Sequence, residues 1–391
     1  MTVTQEPARS ARIPFFTQAA MFTRTWPSIS ARLDGVYADG KFSHGTGVRD
    51  FEHALAAWTG ARYAIGVNSG TDALVLLLRA AGLRHGDEVV VPAYGFVATA
   101  SAVVLAGGRP RFADIDPAAY ALDPHAAEAA ITPDTRMVLP AHMFHRLADL
   151  AALTAVTERH GLTLVEDSAE AIGMRRAGRH AGLFGAGGVL SFFPSKTLGA
   201  IGDAGAVLTD DPRIAERVTA LRHHGRPGPT LADFAAINTG SEHWGHNSKM
   251  DDIQAAVLHA KLASLDAAIA RRRVLADAYT RRLSGLAGVR RLPEPAHGEE
   301  PVFYVYLIEV EDRDALARHL AAAGIGTEVY YPRPLPLQPC FADLGHRPGE
   351  FPHAEAACRH ALALPLHPDL GDDELDRVCE HIAAFYTGGA R

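Results

Sequence analysis

Three short clusters carry residue types that could do chemistry, and each follows an apolar run. The first is Asn68-Ser69-Gly70-Thr71-Asp72. A helix beginning there would turn unpaired backbone N–H groups and its positive dipole end toward an anion, and Gly70 would let the backbone approach a phosphate closely. The same residues also suit an ordinary N-cap, where Asn, Ser, Gly and Asp are all preferred. The second cluster is Val165-Glu166-Asp167-Ser168-Ala169-Glu170. A carboxylate at the end of that apolar run could hold a protonated ring nitrogen, or it could simply cap the next helix. The third is Ser191-Phe192-Phe193-Pro194-Ser195-Lys196-Thr197-Leu198-Gly199, followed by Gly202-Asp203-Ala204-Gly205. Most lysines are solvated surface groups. For a lysine directly after a buried strand, desolvation disfavours the charged form and lowers the pKa, the condition for a nucleophilic amine. Ser191 adds a hydroxyl for a phosphate oxygen, and the flanking glycines relieve crowding around a bulky ligand.

The elements that must position these clusters can be read from periodicity. From Asp50 to about Thr209 short β-rich runs alternate with helical patterns, the signature of an α/β domain with a mostly parallel sheet. Strands are expected at Tyr63–Val67, Glu88–Pro92, Pro110–Ile115, Met137–Pro140, Leu162–Glu166, Gly188–Phe193 and Ala204–Leu208. Helices are expected at Phe51–Trp58, Thr71–Ala81, Ala98–Ala106 and Leu147–His160, where apolar residues recur every three or four positions. Ligands of doubly wound sheets sit beyond the carboxyl ends of the strands, which is where the three clusters fall.

Beyond this region a long helical pattern from Asp251 to about Arg282 reads as a connector. A strand at Val302–Val310, a helix at Asp314–Ala323 ended by Gly324, and a final helix at Asp372–Phe385 suggest a second, α+β domain, with Tyr331–Pro339 as an extended Pro-rich loop. The expected division is an N-terminal segment 1–25, a large α/β domain 26–270 and a small domain 271–391. A length of 391 residues agrees with more than one core. The net charge of -7 offers no bulk basic excess for nucleic acid or an anionic membrane, and no stretch approaches eighteen uninterrupted apolar residues. Cys340, Cys358 and Cys379 lack the spacing of a metal site or disulfide framework, and Met1–Phe16 has no secretory apolar core, so a reducing cytoplasm is expected.

The clusters together resemble the sugar aminotransferase family of fold-type I pyridoxal phosphate enzymes, which includes dideoxysugar and perosamine synthases. The resemblance covers nearly the whole chain. It also rests on Pro92-Ala93-Tyr94-Gly95-Phe96-Val97-Ala98-Thr99, the run from Gly245 to Ala256, Gly324-Ile325-Gly326-Thr327, Pro334-Leu335-Pro336-Leu337-Gln338-Pro339 and Leu364-Pro365-Leu366-His367. The resemblance implies that pyridoxal 5′-phosphate is the cofactor and that Lys196 forms its Schiff base. It implies that Asp167 pairs with the pyridine nitrogen, Phe96 stacks on the ring, and Gly70, Thr71 and Ser191 hold the phosphate. Glu170 stands where the family usually has glutamine near the phenolic oxygen. Asn247 matches a residue that reaches the phosphate of a neighbouring subunit's cofactor, implying a homodimer with shared sites; the alternative for Asn247 is a helix cap before Asp251.

Several positions depart from the family pattern: Ala186, Tyr304, Tyr330, Pro336 and the pair His145-Arg146. They are expected to line the sugar-nucleotide region and put substrate identity in doubt. The implied reaction moves an amino group from glutamate to a nucleotide-linked keto-deoxysugar. Gly202-Asp203-Ala204-Gly205 points to amination at C3 and Glu170 to C4, so the position stays open. A keto-cyclitol (inosose) aminotransferase would share every cofactor residue, and a non-catalytic cofactor-binding regulator could keep the fold. A dehydratase of the same family usually has histidine at the Schiff-base position, and Lys196 argues against it.

Overall fold

A computed structural model describes residues 12–43, 45–227 and 240–388. At its centre lies a twisted sheet ordered Tyr63–Val67, Gly205–Thr209, Gly188–Ser191, the segment 163–167, Thr135–Val138, Glu88–Pro92 and Arg109–Ala113. The segment 163–167 joins two halves. On one side Val165 N–H donates to Val138 O at 3.1 Å and Asp167 N–H to Pro140 O at 2.9 Å. On the other, Glu166 and Asp167 pair with Gly188 and Val189. Every pairing is parallel except those of Gly205–Thr209, which runs antiparallel to both neighbours. Six carboxyl ends and the amino end of Gly205–Thr209 therefore share one edge, and the expected clusters meet there.

Both faces of the sheet are covered, so its strands are near-continuous apolar runs. Val67, Val89, Val91, Val189 and Val207 pack on one side with Leu74, Val103 and Val218 from three helices. Val90, Val138, Leu190 and Leu208 pack on the other with Phe51, Leu153 and Leu258. The small domain has its own antiparallel sheet, Val289–Arg291, Tyr306–Val310 and Ala361–Leu364. The helices Arg313–Ala322 and Asp372–Thr387 cover it through Leu316, Leu320, Val378 and Ile382, and Ile13 joins the same cluster. The helix Leu265–Leu283 spans the two parts: Leu265 and Ile269 belong to the large core, Leu275, Tyr279 and Leu283 to the small one.

The structure departs from the expected elements in several places. The single helix from Asp251 is two helices, Asp252–Leu262 and Leu265–Leu283, bent by 61°. Ser264 closes the corner, its N–H and its hydroxyl each donating to Lys261 O at 3.1 Å, and the bend keeps both Leu262 and Leu265 buried. The strand expected from Val302 starts only at Tyr306, because Phe303 turns the chain at φ 55° and Arg272 Nη1 takes the carbonyls of Phe303 and Tyr304. The helix expected from Leu147 starts at Leu150, where Asp149 accepts the Ala152 N–H at 3.2 Å. The 21-residue helix Ala19–Asp39 has no counterpart in the periodicity: it contains Pro27 and buries only Ile29 and Val36.

Candidate active site

A cavity of about 600 Å³ opens at the shared strand edge, and Gly70, Thr71, Phe96, Asp167, Glu170, Ser191 and Lys196 all line it. Only Asn247 among the expected residues stands outside.

The first wall is the start of the helix Gly70–Ala80. Ser69 is its N-cap, its hydroxyl accepting the Asp72 N–H at 3.1 Å. The Gly70 and Thr71 N–H groups, in the first turn, have no helical carbonyl behind them and remain for a ligand. Capping and anion-facing roles thus coexist in one cluster. A Cβ on Gly70 would sit 2.9 Å from the Ser191 Cβ, so only glycine lets the Ser191 hydroxyl stand beside the helix end.

The two adjacent acids have opposite fates. Glu166 is fully buried and turned away from the cavity: Oε1 accepts the N–H groups of Phe184 at 2.6 Å and Gly185 at 2.9 Å, and Oε2 accepts that of Gly182 at 2.8 Å. His142 Nε2 lies 3.0 Å from the same Oε2. Asp167 faces the cavity, where Thr99 Oγ1 donates to Oδ2 at 2.7 Å and the Ala169 N–H to Oδ1 at 3.2 Å. Turns rather than a helix follow at 168–174, so helix capping is not its role.

Lys196 Nζ stands 3.2 Å from Glu170 Oε1 and 4.2 Å from the Tyr304 ring centroid. Burial pulls its pKa down, but Glu170, Tyr304 and Asp167 together outweigh burial and the net direction is up. That corrects the expectation of a lowered pKa: the sequence shows the burial but not the carboxylate that burial brings with it. Glu170 is held in turn by the Phe144 N–H at 3.3 Å and the Tyr331 hydroxyl at 3.4 Å. Tyr304 OH lies 3.3 Å from Ser195 Oγ and 3.5 Å from Tyr330 OH. Burial raises the pKa of Tyr330 and Tyr331, so both phenols stay protonated and serve as donors.

Asn247 is exposed and its side-chain oxygen accepts from Lys249 Nζ. The N-cap position of the following helix is Asp251, which makes no side-chain capping bond, and Asn247 lies four residues before it, so Asn247 is not the cap. Among the departing positions, Tyr304 and Tyr330 line the cavity; Ala186, Pro336, His145 and Arg146 do not. His145 is buried and stacked on Phe303 with centroids 5.6 Å apart, Pro336 is buried in a 3-10 turn, and Arg146 opens onto a separate cavity. Thr99, His142, Glu328 and Tyr331 line the cavity beyond the residues expected from sequence. For Thr99 there was a signal, a hydroxyl in the first turn of a helix that starts at the strand edge; for Glu328 and Tyr331 there was none, because the fold alone brings them across.

Residues 27–383 match the DegT/DnrJ/EryC1/StrS aminotransferase family. The chain belongs to that family. It is 39% identical over 375 residues to the pleiotropic regulatory protein of Geobacillus stearothermophilus, covering 96% of this chain and 98% of the relative. It is 38% identical over 375 residues to the dTDP-3-amino-3,4,6-trideoxy-alpha-D-glucose transaminase of Streptomyces venezuelae, covering 96% of each. The crystal structure of S. venezuelae DesV in complex with a ketimine intermediate superposes with a TM-score of 0.90 at 38% identity, over 96% of this chain and 99% of that one. The fold is that of a fold-type I aminotransferase, and the cofactor of this family member is pyridoxal 5′-phosphate. The cavity suits it: helix N–H groups and the Ser191 hydroxyl offer donors for a phosphate, Asp167 offers a carboxylate to a ring nitrogen, and Lys196 supplies an amine.

Proposed function

We propose that this aminotransferase moves an amino group from glutamate to a nucleotide-linked keto-deoxysugar, with amination at C3. The observation that carries the reading is the convergence of Lys196, Asp167 and the helix N-terminus at Gly70 on one cavity. Bound there, pyridoxal phosphate supplies an electron sink for the charge that develops at the donor's α-carbon. Lys196 would hold the cofactor covalently, and its Nζ would carry the proton to and from carbon. Asp167, fixed by Thr99, keeps a proton on the ring nitrogen. The Gly70 and Thr71 N–H groups with Ser191 Oγ hold the phosphate, and Phe96, 57% exposed at the cavity rim, covers one ring face. Glu170 orients Lys196 and favours its charged form.

Residues 26–270 form the cofactor-binding domain in this reading and 271–391 the small domain. The functional unit is a homodimer: Asn247, exposed on its own subunit and free of any capping duty, reaches the partner's cofactor phosphate. The three free cysteines suit a reducing cytoplasm. Amination at C3 rests on the name of the Streptomyces relative and on Asp203-Ala204 at the cavity wall.

The name of the Geobacillus relative favours a second reading, a cofactor-binding regulator. Incubation of the loaded protein with glutamate separates the two: stoichiometric 2-oxoglutarate supports transamination, and none at all leaves the regulator. A panel of keto-sugar nucleotides and inososes, with regiochemistry read by NMR, then tests the acceptor. Turnover of inososes alone would replace the sugar-nucleotide reading with the cyclitol one.

A further inference from the structure

Behind the Lys196 loop lies a second cavity, of about 430 Å³. Lys196 lines both this cavity and the active site, Thr197 and Leu198 continue that wall, and the other walls come from the segment after Phe16, the corner Lys261–Leu265, the helix that follows, and His367. Arg24, Lys261, Arg271 and Arg272 face it besides Lys196, against a single carboxylate, Asp369. Asp369 is taken by Arg24 at 2.5 Å, and Arg271 pairs outward with Asp372 at 2.9 Å.

That leaves two buried cations without a carboxylate. Lys261, 2% exposed, donates to Gly199 O and to Gln18 Oε1 at 3.2 Å. Arg272, 3% exposed, gives Nη1 to the carbonyls of Phe303, Tyr304 and Leu366 at 3.2, 3.1 and 2.9 Å, while its Nε has no partner. His367 lines the same space at 3% exposure with neither ring nitrogen bonded, and the buried Thr197 Oγ1 is equally unpartnered. Burial alone pulls Lys261 down to about 8, as expected for an ammonium without a counter-ion. Uncompensated buried charge and unpaired buried donors are each costly, and here they face one volume.

We propose that this cavity is a second ligand site, for a small oxyanion of phosphate or carboxylate type. Lys261 and Arg272 supply the charge, and Thr197 Oγ1 and a ring N–H of His367 the directed hydrogen bonds. The volume admits a small dicarboxylate as well as inorganic phosphate. Its occupant abuts the loop that carries Lys196, the residue common to both cavities.

The test uses holoprotein saturated with pyridoxal phosphate, so that the cofactor's phosphate cradle is filled. Melting temperature is followed against inorganic phosphate and, separately, succinate, each compared with sodium chloride at matched ionic strength. The expected result is a saturable rise with at least one oxyanion beyond the chloride control. His367→Phe removes the N–H and fills space; it should weaken the apparent affinity about tenfold, the loss of one hydrogen bond to a charged group, and leave the visible absorbance of the bound cofactor unchanged. Thr197→Val, which removes the other directed hydrogen-bonding group at nearly constant volume, gives an independent second variant should His367→Phe not fold. A rise with phosphate alone or succinate alone assigns the ligand class. No saturable effect of either, or the same effect in the folded variants, overturns the site.

Discussion

Glu166 and Asp167 are neighbours of the same charge, yet the structure separates their duties so completely that their amides should behave oppositely. Glu166→Gln places an NH2 group where one carboxylate oxygen now accepts either the Phe184 and Gly185 N–H groups or the Gly182 N–H and the His142 contact. Whichever way the amide turns, about two hydrogen bonds to a charged acceptor are lost and donors meet donors in a fully buried site. At about 1.5–3 kcal/mol for each such bond, the loss is about 3–6 kcal/mol of stability. Asp167→Asn keeps an acceptor for the Thr99 hydroxyl at an edge that opens on the cavity, so its stability cost should stay below about 1 kcal/mol. Its effect should fall instead on the half-reaction with glutamate, because a neutral amide no longer holds a proton on the ring nitrogen. Urea unfolding of both variants, paired with stopped-flow measurement of the half-reaction, tests the contrast. A Glu166→Gln protein within 1 kcal/mol of wild type, or an Asp167→Asn protein with near-normal half-reaction rates, would refute the division of labour.

Two further outcomes are expected. If sites are shared between subunits, mixing an inactive Lys196→Ala chain with an Asn247→Ala chain that is itself severely impaired should recover part of the activity after reversible dissociation; full activity of Asn247→Ala alone would rule sharing out. Acid should destabilise the fold through two histidines. Burial, with Arg146 adding, pushes His145 to about 3; burial likewise pushes His180, whose Nε2 accepts the Gly173 N–H at 2.8 Å, to about 4. Both folded values lie below the unfolded 6.5, so this contribution is complete above about pH 6.5 and is lost as pH falls to about 4 for His180 and about 3 for His145, each histidine costing about 2 kcal/mol by pH 5. His145→Phe should therefore lose about 2 kcal/mol less than wild type between pH 8 and pH 5 in urea titrations, and equal losses would contradict the burial argument.

Much of the site was legible because a parallel sheet places the residues after its strands on one edge. Asn68–Asp72, Glu166–Glu170 and Ser191–Lys196 each follow a strand, so naming the strands located the cavity. Periodicity could not show how Glu166 and Asp167 divide, because alternation fixes which side a residue faces but not which loop waits there with three N–H groups. Nor could it show the Glu170–Lys196 pair or the tyrosine wall, which comes from the small domain more than a hundred residues later. His145 and Arg146 were placed near the substrate by analogy of position; the turn at Phe144, with φ 59°, sends both away from the cavity. The bend after Leu262 and the helix Ala19–Asp39 leave no mark on periodicity for opposite reasons: the first keeps helical periodicity through a tertiary corner, and the second lacks an apolar stripe.

That Lys196 holds the cofactor can be tested on the unmodified chain. The sequence contains only four lysines, Lys41, Lys196, Lys249 and Lys261. By charge alone Lys261, pulled down to about 8, would be the readier nucleophile, whereas Lys196 is raised. Geometry reverses that order: Lys261 is tied to Gly199 O and Gln18 away from the active-site cavity, and Lys196 alone of the four lines it. Borohydride reduction of the loaded protein, followed by digestion and peptide mass spectrometry, reads the attachment site directly. The reduced cofactor is expected on the peptide containing Lys196 and on no other; the cofactor on Lys249 or Lys261, or on no lysine at all, would overturn that role for Lys196.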